Sequence, residues 1–168
     1  MFWQEPQVVV EINSGGLYVS ANRAEVITTL VGSCVAVCLF DAGNGVGGMN
    51  HFMLPYAGDG ESPARSQDLR YGAYAMDSLL QGVLAGGGRA ERLKAKVFGG
   101  GELIRTEQYN VAEANVKYAL EYLEKRGIPV AAMDVGGCFG RKIYYRLRDH
   151  RVFVKKSRSV SQYGLNGV

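Results

Sequence analysis

The chain alternates short apolar runs with glycine-rich breaks, a pattern typical of strands joined by tight turns. Apolar, β-branched segments predict strands over residues 7–12, 17–20, 35–40, 46–54, 95–98, 129–135, 142–147 and 151–155. Two longer segments with apolar residues at helical spacing predict helices over residues 68–84 and 110–126, and Asn110 and Glu113 are placed as a capping box for the second. Many strands with two substantial helices predict an α+β domain in which helices pack on mixed sheets.

The predicted strands on either side of residues 41–45 form a hairpin, because that segment reads Asp-Ala-Gly-Asn-Gly and supplies turn chemistry. With the turn centred near residues 43 and 44, residue 36 faces residue 51. Cys34 and His51 are then diagonal neighbours on one face, with Cα atoms roughly 7–8 Å apart. A register slip of one residue, which the turn allows, would put them on opposite faces.

Composition narrows the classes of protein to consider. At 168 residues, with 47% apolar residues, we expect one globular domain spanning residues 1–168. No apolar stretch is long enough for membrane insertion, and the first residues lack the order of a secretory signal. Three cysteines without a Cys-x-x-Cys pair argue against a disulfide framework and favour the cytoplasm. The net charge of +3 falls far short of a nucleic-acid signature.

Three glycine-rich segments resemble ligand loops. Residues 43–48 match G-x-G-x-x-G, but no convincing helix follows, which argues against a nucleotide. Residues 99–101 lack the Lys-Ser or Lys-Thr of a P-loop, so close backbone packing is the better explanation. Residues 136–141 predict a tight turn whose Arg141 is available to carbonyls or a carboxylate near the active face.

Metal and cofactor chemistry have little support in the sequence. Cys38 is expected to be a buried structural thiol. Cys34, Cys38, His51 and Cys138 could be assembled into a zinc site on paper, but no short ligand pair supports it. We therefore expect no metal and no cofactor.

Cys34 and His51 are the candidates for covalent catalysis. A thiol attacks as thiolate, and a nearby imidazole is the usual way to form one near neutral pH. A cysteine at the head of an apolar strand is also often a core residue, so spacing alone leaves both interpretations open. Gly32 and Ser33 favour catalysis, because a small residue lets the substrate approach and the amides of Ser33 and Cys34 can form an oxyanion hole.

The sequence resembles the CheD family, the chemoreceptor glutamine deamidases of bacterial chemotaxis. The resemblance extends over nearly the whole chain in order, through residues 28–39, 48–51, 94–101, Asn110, 127–129, 134–137, 140–142 and 152–155. The Gly-Ser-Cys run followed by Asn-His is its most specific part. The chain departs from the family pattern at Leu30, where a glycine or another small residue is usual.

The resemblance implies a catalytic set of Cys34, His51 and Thr28, with the threonine taken as the residue six before the cysteine and Thr29 adjacent to it. Thr28 would orient the imidazole. It also implies two packed mixed sheets flanked by helices, like the catalytic domain of cytotoxic necrotizing factor. The implied activity is that of a protein-glutamine glutaminase acting through a thioester, with glutamate methylesterase activity as a side reaction.

The implied partners are the cytoplasmic helical bundle of methyl-accepting chemotaxis receptors and the CheC phosphatase. An alternative is a non-catalytic adaptor that binds receptors and CheC. A redox sensor using Cys34 and Cys38 is disfavoured, since residues four apart on a strand lie roughly 13 Å apart, too far for a disulfide.

Overall fold

The computed structural model describes residues 4–58, 67–104 and 109–158. They form nine strands, two α-helices and a single 3₁₀ turn at Ala90–Arg92. In chain order the elements are β1 Val8–Glu11, β2 Leu17–Ser20, β3 Glu25–Val31, β4 Val35–Asp41, β5 Val46–Phe52, α1 Gly72–Ala85, β6 Lys94–Gly99, α2 Val111–Lys125, β7 Val130–Val135, β8 Phe139–Arg146 and β9 Arg151–Arg158. Neither of these helices is long and apolar enough to cross a membrane.

The strands form two mixed sheets. One sheet has the order β1-β3-β8-β9, with β1 parallel to β3 and the other neighbours antiparallel. The second has the order β2-β5-β4-β6-β7, with β6 and β7 parallel and the other neighbours antiparallel. Both sheets are therefore mixed, and the predicted α+β class is confirmed. The likeness to the cytotoxic necrotizing factor domain stays a prediction.

Two apolar clusters make a three-layer structure. One lies between the five-stranded sheet and both helices, and includes Val37, Leu79 and Leu123. The other lies between the two sheets and includes Ile27, Met49 and Ile143. Every residue of β4 and β5 is buried. The central hairpin is thus covered by helices on one face and by the four-stranded sheet on the other.

The hairpin has the predicted register. Ala36 pairs with His51 and Val35 with Phe52. The G-x-G-x-x-G segment leads into β5 and not into a helix, so it lacks the helix amides that a pyrophosphate needs. Its glycines serve close sheet packing, because a Cβ at Gly47 would lie 2.2 Å from the Tyr145 hydroxyl of the opposite sheet.

Some predicted boundaries differ from the observed ones. Helix α1 begins at Gly72, four residues later than predicted, because the chain before it forms a turn that bonds to the end of β5. Strand β8 begins three residues earlier than predicted. The predicted cap of α2 is confirmed, since the Asn110 side chain accepts from the Glu113 amide at 3.0 Å. The polar composition of residues 58–66, with glycine and proline, predicts a mobile loop, but apart from Gly58 this segment lies outside the described residues.

Candidate active site

The nucleophile candidate lies where the chain crosses from one sheet to the other. Residues 32–34 join β3 of the four-stranded sheet to β4 of the five-stranded sheet. Residues 12–16 and 136–138 make two further crossings between the sheets. The Gly15 amide donates to the His51 carbonyl at 2.8 Å, and the His51 amide donates to the Gly16 carbonyl at 3.1 Å. The crossing at residues 12–16 is thereby hydrogen-bonded to β5, the strand that carries His51.

Cys34 and His51 face the same layer, the space between the sheets. Cys34 is half-buried and packs against the inter-sheet cluster. The His51 ring reaches Thr29 of the opposite sheet, so it also points into that layer. Because Ala36 pairs with His51, Cys34 lies one diagonal step away across the hairpin. The register and the shared face expected from the sequence are thus present.

The hydrogen bonds of His51 assign its tautomer. The Thr29 hydroxyl donates its single proton to the Ile12 carbonyl at 2.7 Å. The same oxygen lies 2.8 Å from His51 Nδ1, so Nδ1 must carry the proton and donate to it. Nε2 is then the unprotonated nitrogen. It is buried and has no hydrogen-bond partner among the described residues, which leaves its lone pair available as a base.

Thr28, the threonine assigned to orient the imidazole, does not contact it. The Thr28 hydroxyl donates to the Ile143 carbonyl of β8 at 2.8 Å, and the contact with His51 is made by Thr29. The expected Thr28–His51 hydrogen bond is therefore wrong. The physical reason is strand alternation: Ile27 and Val31 face the inter-sheet layer, so Thr29 between them does too, while Thr28 faces away.

The two candidate groups are both neutral in the resting site. Burial lowers the pKa of His51 to about 4. Burial also raises the pKa of the Cys34 thiol, although its own backbone amide and a hydrogen bond from Ser14 act in the opposite direction. At neutral pH the pair is thiol and imidazole, and not a thiolate–imidazolium ion pair. Proton transfer must then accompany attack on a substrate.

The backbone carbonyls around Cys34 all accept hydrogen bonds, whereas the amides of Ser33 and Cys34 have no backbone acceptor within the described ranges. The carbonyls of Gly32, Ser33 and Cys34 accept from the Gly101 amide at 2.8 Å, the Asn115 side chain at 3.1 Å and the Gly100 amide at 2.9 Å. Within the described ranges the amides of Ser33 and Cys34 find no backbone acceptor. The Cys34 amide does approach its own sulfur, and an oxyanion hole at this turn would be formed by these two amides.

The glycine run at residues 99–101 packs directly on the segment that carries Cys34. Gly99 has a φ of 113°, and a Cβ there would lie 2.2 Å from the Cys34 carbonyl oxygen. The prediction that close backbone packing explains these glycines is confirmed. Arg141, 2% exposed, donates to the carbonyls of Gly99 and Gly136 and pairs with Asp134 at 3.0 Å. The Arg141 guanidinium therefore connects two glycine-rich turns by hydrogen bonds, and its predicted contact with carbonyls and a carboxylate is confirmed.

A cleft of about 240 Å³ opens beside the exposed Ser33. Its walls include Gly101, Ala112 and the strongly exposed side chains of Ile104 and Tyr109. An apolar rim of this kind suits contact with another protein surface. Neither Cys34 nor His51 lines this cleft, but Cys34 directly follows Ser33 in the chain and is itself only half-buried.

The other cysteines differ from Cys34. Cys38 is fully buried in the inter-sheet cluster, as predicted, and burial raises the pKa of its thiol far above its usual value. Cys138 is half-buried in the crossing at residues 136–138. Among the described residues no three His, Cys, Asp or Glu side chains lie together as metal ligands would.

Sequence reasoning missed three contributors to the site: Thr29, Ser14 and Asn115. Alternation along β3 could have selected Thr29 over Thr28. Asn115 had a visible signal, because it is a carboxamide on the buried stripe of α2 among Ala112, Ala119 and Leu123. Ser14 had none, since its proximity to Cys34 depends on how the first crossing turn meets the strand of the second sheet.

Comparison with known proteins places the chain in a family. Residues 53–156 match the family model described as "CheD chemotactic sensory transduction". A "Probable chemoreceptor glutamine deamidase CheD" from Bordetella petrii is 48% identical over 148 residues, which cover 88% of this chain and 66% of that protein. The protein of the same name from Thiobacillus denitrificans is 42% identical over 151 residues, covering 89% and 75%.

The chain spans about two thirds of the length of several of these relatives, with 66% and 65% in two from Bordetella. The family-model match begins after His51, so the assignment of site residues depends on the geometry above and not on that match. The model covers more than half of the chain, and relatives above 40% identity cover most of it. This chain belongs to the CheD family.

Proposed function

We propose that this chain is a protein-glutamine glutaminase that converts glutamine side chains of chemoreceptors to glutamate, with Cys34 as nucleophile. The relatives named as chemoreceptor glutamine deamidases support the activity and the substrate class. The observation that carries the chemistry is His51 Nε2, a buried nitrogen with no partner in the described residues, on the face shared with Cys34. A neutral imidazole held in one tautomer beside a thiol is suited to general-base catalysis.

In the first half of the reaction, His51 Nε2 takes the Cys34 proton as the sulfur attacks the side-chain carbonyl carbon of glutamine. The amides of Ser33 and Cys34 donate to the oxyanion that forms, and Gly32 keeps the approach open. The imidazolium then returns the proton to the leaving nitrogen, and ammonia departs as the C–N bond breaks. A thioester between Cys34 and the glutamyl side chain remains.

In the second half, His51 Nε2 takes a proton from water as its oxygen attacks the thioester. The tetrahedral intermediate expels the Cys34 sulfur, which recovers the proton from His51, and the product is a glutamate side chain. A glutamate methyl ester would pass through the same thioester and release methanol. Methylesterase activity is therefore proposed as a side reaction.

In this proposal Thr29 takes the orienting role that the family resemblance implied for Thr28. Its hydroxyl accepts from His51 Nδ1 and keeps the lone pair on Nε2. A hydroxyl stabilises an imidazolium less than a carboxylate does, so turnover is expected to be slow. Slow turnover suits an enzyme that edits a receptor.

The proposed substrate surface is the helical bundle of a receptor's cytoplasmic part, which would dock across the apolar rim formed by Ile104 and Tyr109. A glutamine side chain projecting from a helix can enter the cleft beside Ser33. A cytoplasmic location follows from such a substrate. The CheC phosphatase as a second partner stays a prediction.

The test is incubation with cytoplasmic fragments of candidate receptors, followed by peptide mass mapping of glutamine-to-glutamate conversion. We expect conversion by the wild-type chain and none by Cys34→Ala or His51→Ala. Cys138→Ser is the matched control, since it removes another half-buried thiol and should leave conversion unchanged.

Conversion by Cys34→Ala would refute the nucleophile assignment. Binding of receptor fragments without conversion by the wild-type chain would instead favour the adaptor alternative. Alkylation of Cys34 by iodoacetamide separates these results further. In an adaptor that does not use its thiol, the wild-type chain should be alkylated no faster than His51→Ala.

A further inference from the structure

Asn115 is a fully buried carboxamide on an otherwise apolar stripe of α2. Its Nδ2 donates to the Ser33 carbonyl at 3.1 Å and to the Met53 carbonyl at 2.8 Å. Ser33 immediately precedes the nucleophile, and Met53 follows His51 by two residues. One side chain from the helical layer thus bridges the two segments that must meet for catalysis.

The chemistry of the contacts fixes the orientation of this carboxamide. Both partners of Asn115 are carbonyl oxygens, which only accept, so the NH₂ group must face them. Oδ1 then points elsewhere, and it is buried without a hydrogen-bond partner among the described residues. A buried unsatisfied oxygen is unfavourable, and natural structures contain few of them. The arrangement gives up one hydrogen bond in order to hold two carbonyls.

We infer that Asn115 is a positioning residue that sets the separation between the loop carrying Cys34 and the strand end carrying His51. This role rests on the proposed function of that pair. By holding the Ser33 carbonyl, Asn115 also directs the next amide, that of Cys34, in the opposite direction within the same peptide plane. Asp could not replace it as a carboxylate, because it would have no proton to donate to either carbonyl.

The test compares Asn115→Leu and Asn115→Ala with Leu123→Ala. Leu keeps the branched shape of the side chain and Ala removes it, and both are good helix formers, so the two variants disturb the packing in different ways. Leu123 is a buried residue of the same helix, two turns further on, in the apolar cluster under the sheet. It is the matched control for lost packing without a polar bridge.

The first measurement is the rate of Cys34 alkylation by iodoacetamide in folded protein, with folding checked by circular dichroism. We expect Asn115→Leu and Asn115→Ala to slow it about tenfold or more, because small displacements of reacting groups have effects of that size. Leu123→Ala should lower the melting temperature and leave the rate unchanged. A rate for Asn115→Ala within about twofold of wild type would overturn the inference.

The second measurement is a double-mutant cycle. If Asn115 acts through the separation of Cys34 and His51, then Asn115→Ala combined with His51→Ala is no slower than His51→Ala alone. Multiplicative effects would mean that Asn115 acts independently of His51, which would refute the role. Failure of the proposed function is distinguishable, because wild-type protein would then convert no receptor glutamine while the alkylation comparison still decides the role of Asn115.

Discussion

Replacing Thr28 and Thr29 by valine, one at a time, tests which of the two orients the His51 imidazole. Thr29→Val removes the oxygen that accepts from His51 Nδ1 and the proton that goes to the Ile12 carbonyl. Thr28→Val removes only the bond to the Ile143 carbonyl. Valine matches the shape of threonine and suits a strand, so the change in hydrogen bonding dominates.

The expected magnitudes follow from the number of buried groups left unsatisfied. Each costs about 1–3 kcal/mol, so Thr29→Val should lower the free energy of unfolding by about 2–6 kcal/mol and Thr28→Val by about 1–3 kcal/mol. The tautomer of His51 depends on the same Thr29 oxygen. If the preference for the tautomer with its proton on Nδ1 falls by about 1–3 kcal/mol, the deamidation rate falls by about 5- to 150-fold, at roughly 1.4 kcal/mol per factor of ten.

The assay is the rate of receptor-fragment deamidation and, in parallel, of Cys34 alkylation, at a temperature where urea unfolding shows every variant to be folded. Thr29→Ser, which keeps the hydroxyl, should restore most of the rate. Thr28→Val should differ little from wild type. Loss of activity in Thr28→Val with activity retained in Thr29→Val would refute both the tautomer argument and the assignment to Thr29.

Three further predictions concern the charges of the protein. Because the Cys34 thiol has a raised pKa and the pKa of His51 is about 4, alkylation should rise steadily from pH 6 to 8, whereas a flat profile would indicate a preformed ion pair. Ser14→Ala should slow alkylation at pH 8 relative to wild type, since it removes a hydrogen bond that lowers the pKa of Cys34. An unchanged rate would contradict this contact. Arg141→Ala should lower the free energy of unfolding by about 3 kcal/mol in urea melts, because it removes a buried donor from the Gly99 and Gly136 carbonyls and leaves Asp134 paired only with Lys156. A loss below about 1 kcal/mol would show that water replaces the guanidinium.

Stability at low pH gives another prediction, from a different part of the molecule. Hydrogen bonds from Arg92 lower the pKa of the buried Asp41 to about 2 from an ordinary 3.8. Because the pKa of Asp41 is lower in the folded state, its carboxylate stabilises the fold fully above about pH 4. This contribution to the free energy of unfolding is lost as the pH falls towards 2. Asp41→Asn should therefore flatten the stability profile over that interval in urea melts. A profile that stays as steep as that of wild type would assign the acid sensitivity to other carboxyls.

Much of the fold was accessible from the sequence, because local chemistry decided it. The Asp-Ala-Gly-Asn-Gly turn predicted the β4–β5 hairpin and its register, and the Asn110 cap predicted the start of α2. The start of α1 was predicted too early, since residues 68–71 carry a plausible helical pattern but bond to the end of β5. That outcome depends on a tertiary contact, which a local pattern does not contain.

The candidate site was only partly accessible for the same reason. The hairpin placed Cys34 and His51 together, because both lie on one supersecondary unit. Thr29 belongs to the opposite sheet, and counting residues from the cysteine selected Thr28 where strand alternation selects its neighbour. Asn115 reaches the site from the helical layer, more than 80 residues from Ser33 along the chain. No spacing rule connects these segments.

A neutral resting pair gives the site a specific kind of selectivity. A thiol with a raised pKa reacts slowly with oxidants and alkylating agents, since these need the thiolate. In the proposed mechanism the thiolate is favoured most when an electrophilic carbon lies over Cys34 with its oxygen on the amides of Ser33 and Cys34, because that geometry stabilises the charge that proton transfer to His51 creates. A carboxamide positioned by a docked protein helix would adopt this geometry more often than a free small amide. Under the proposed function, we therefore expect glutamines presented by a bound partner to be converted faster than a free small amide.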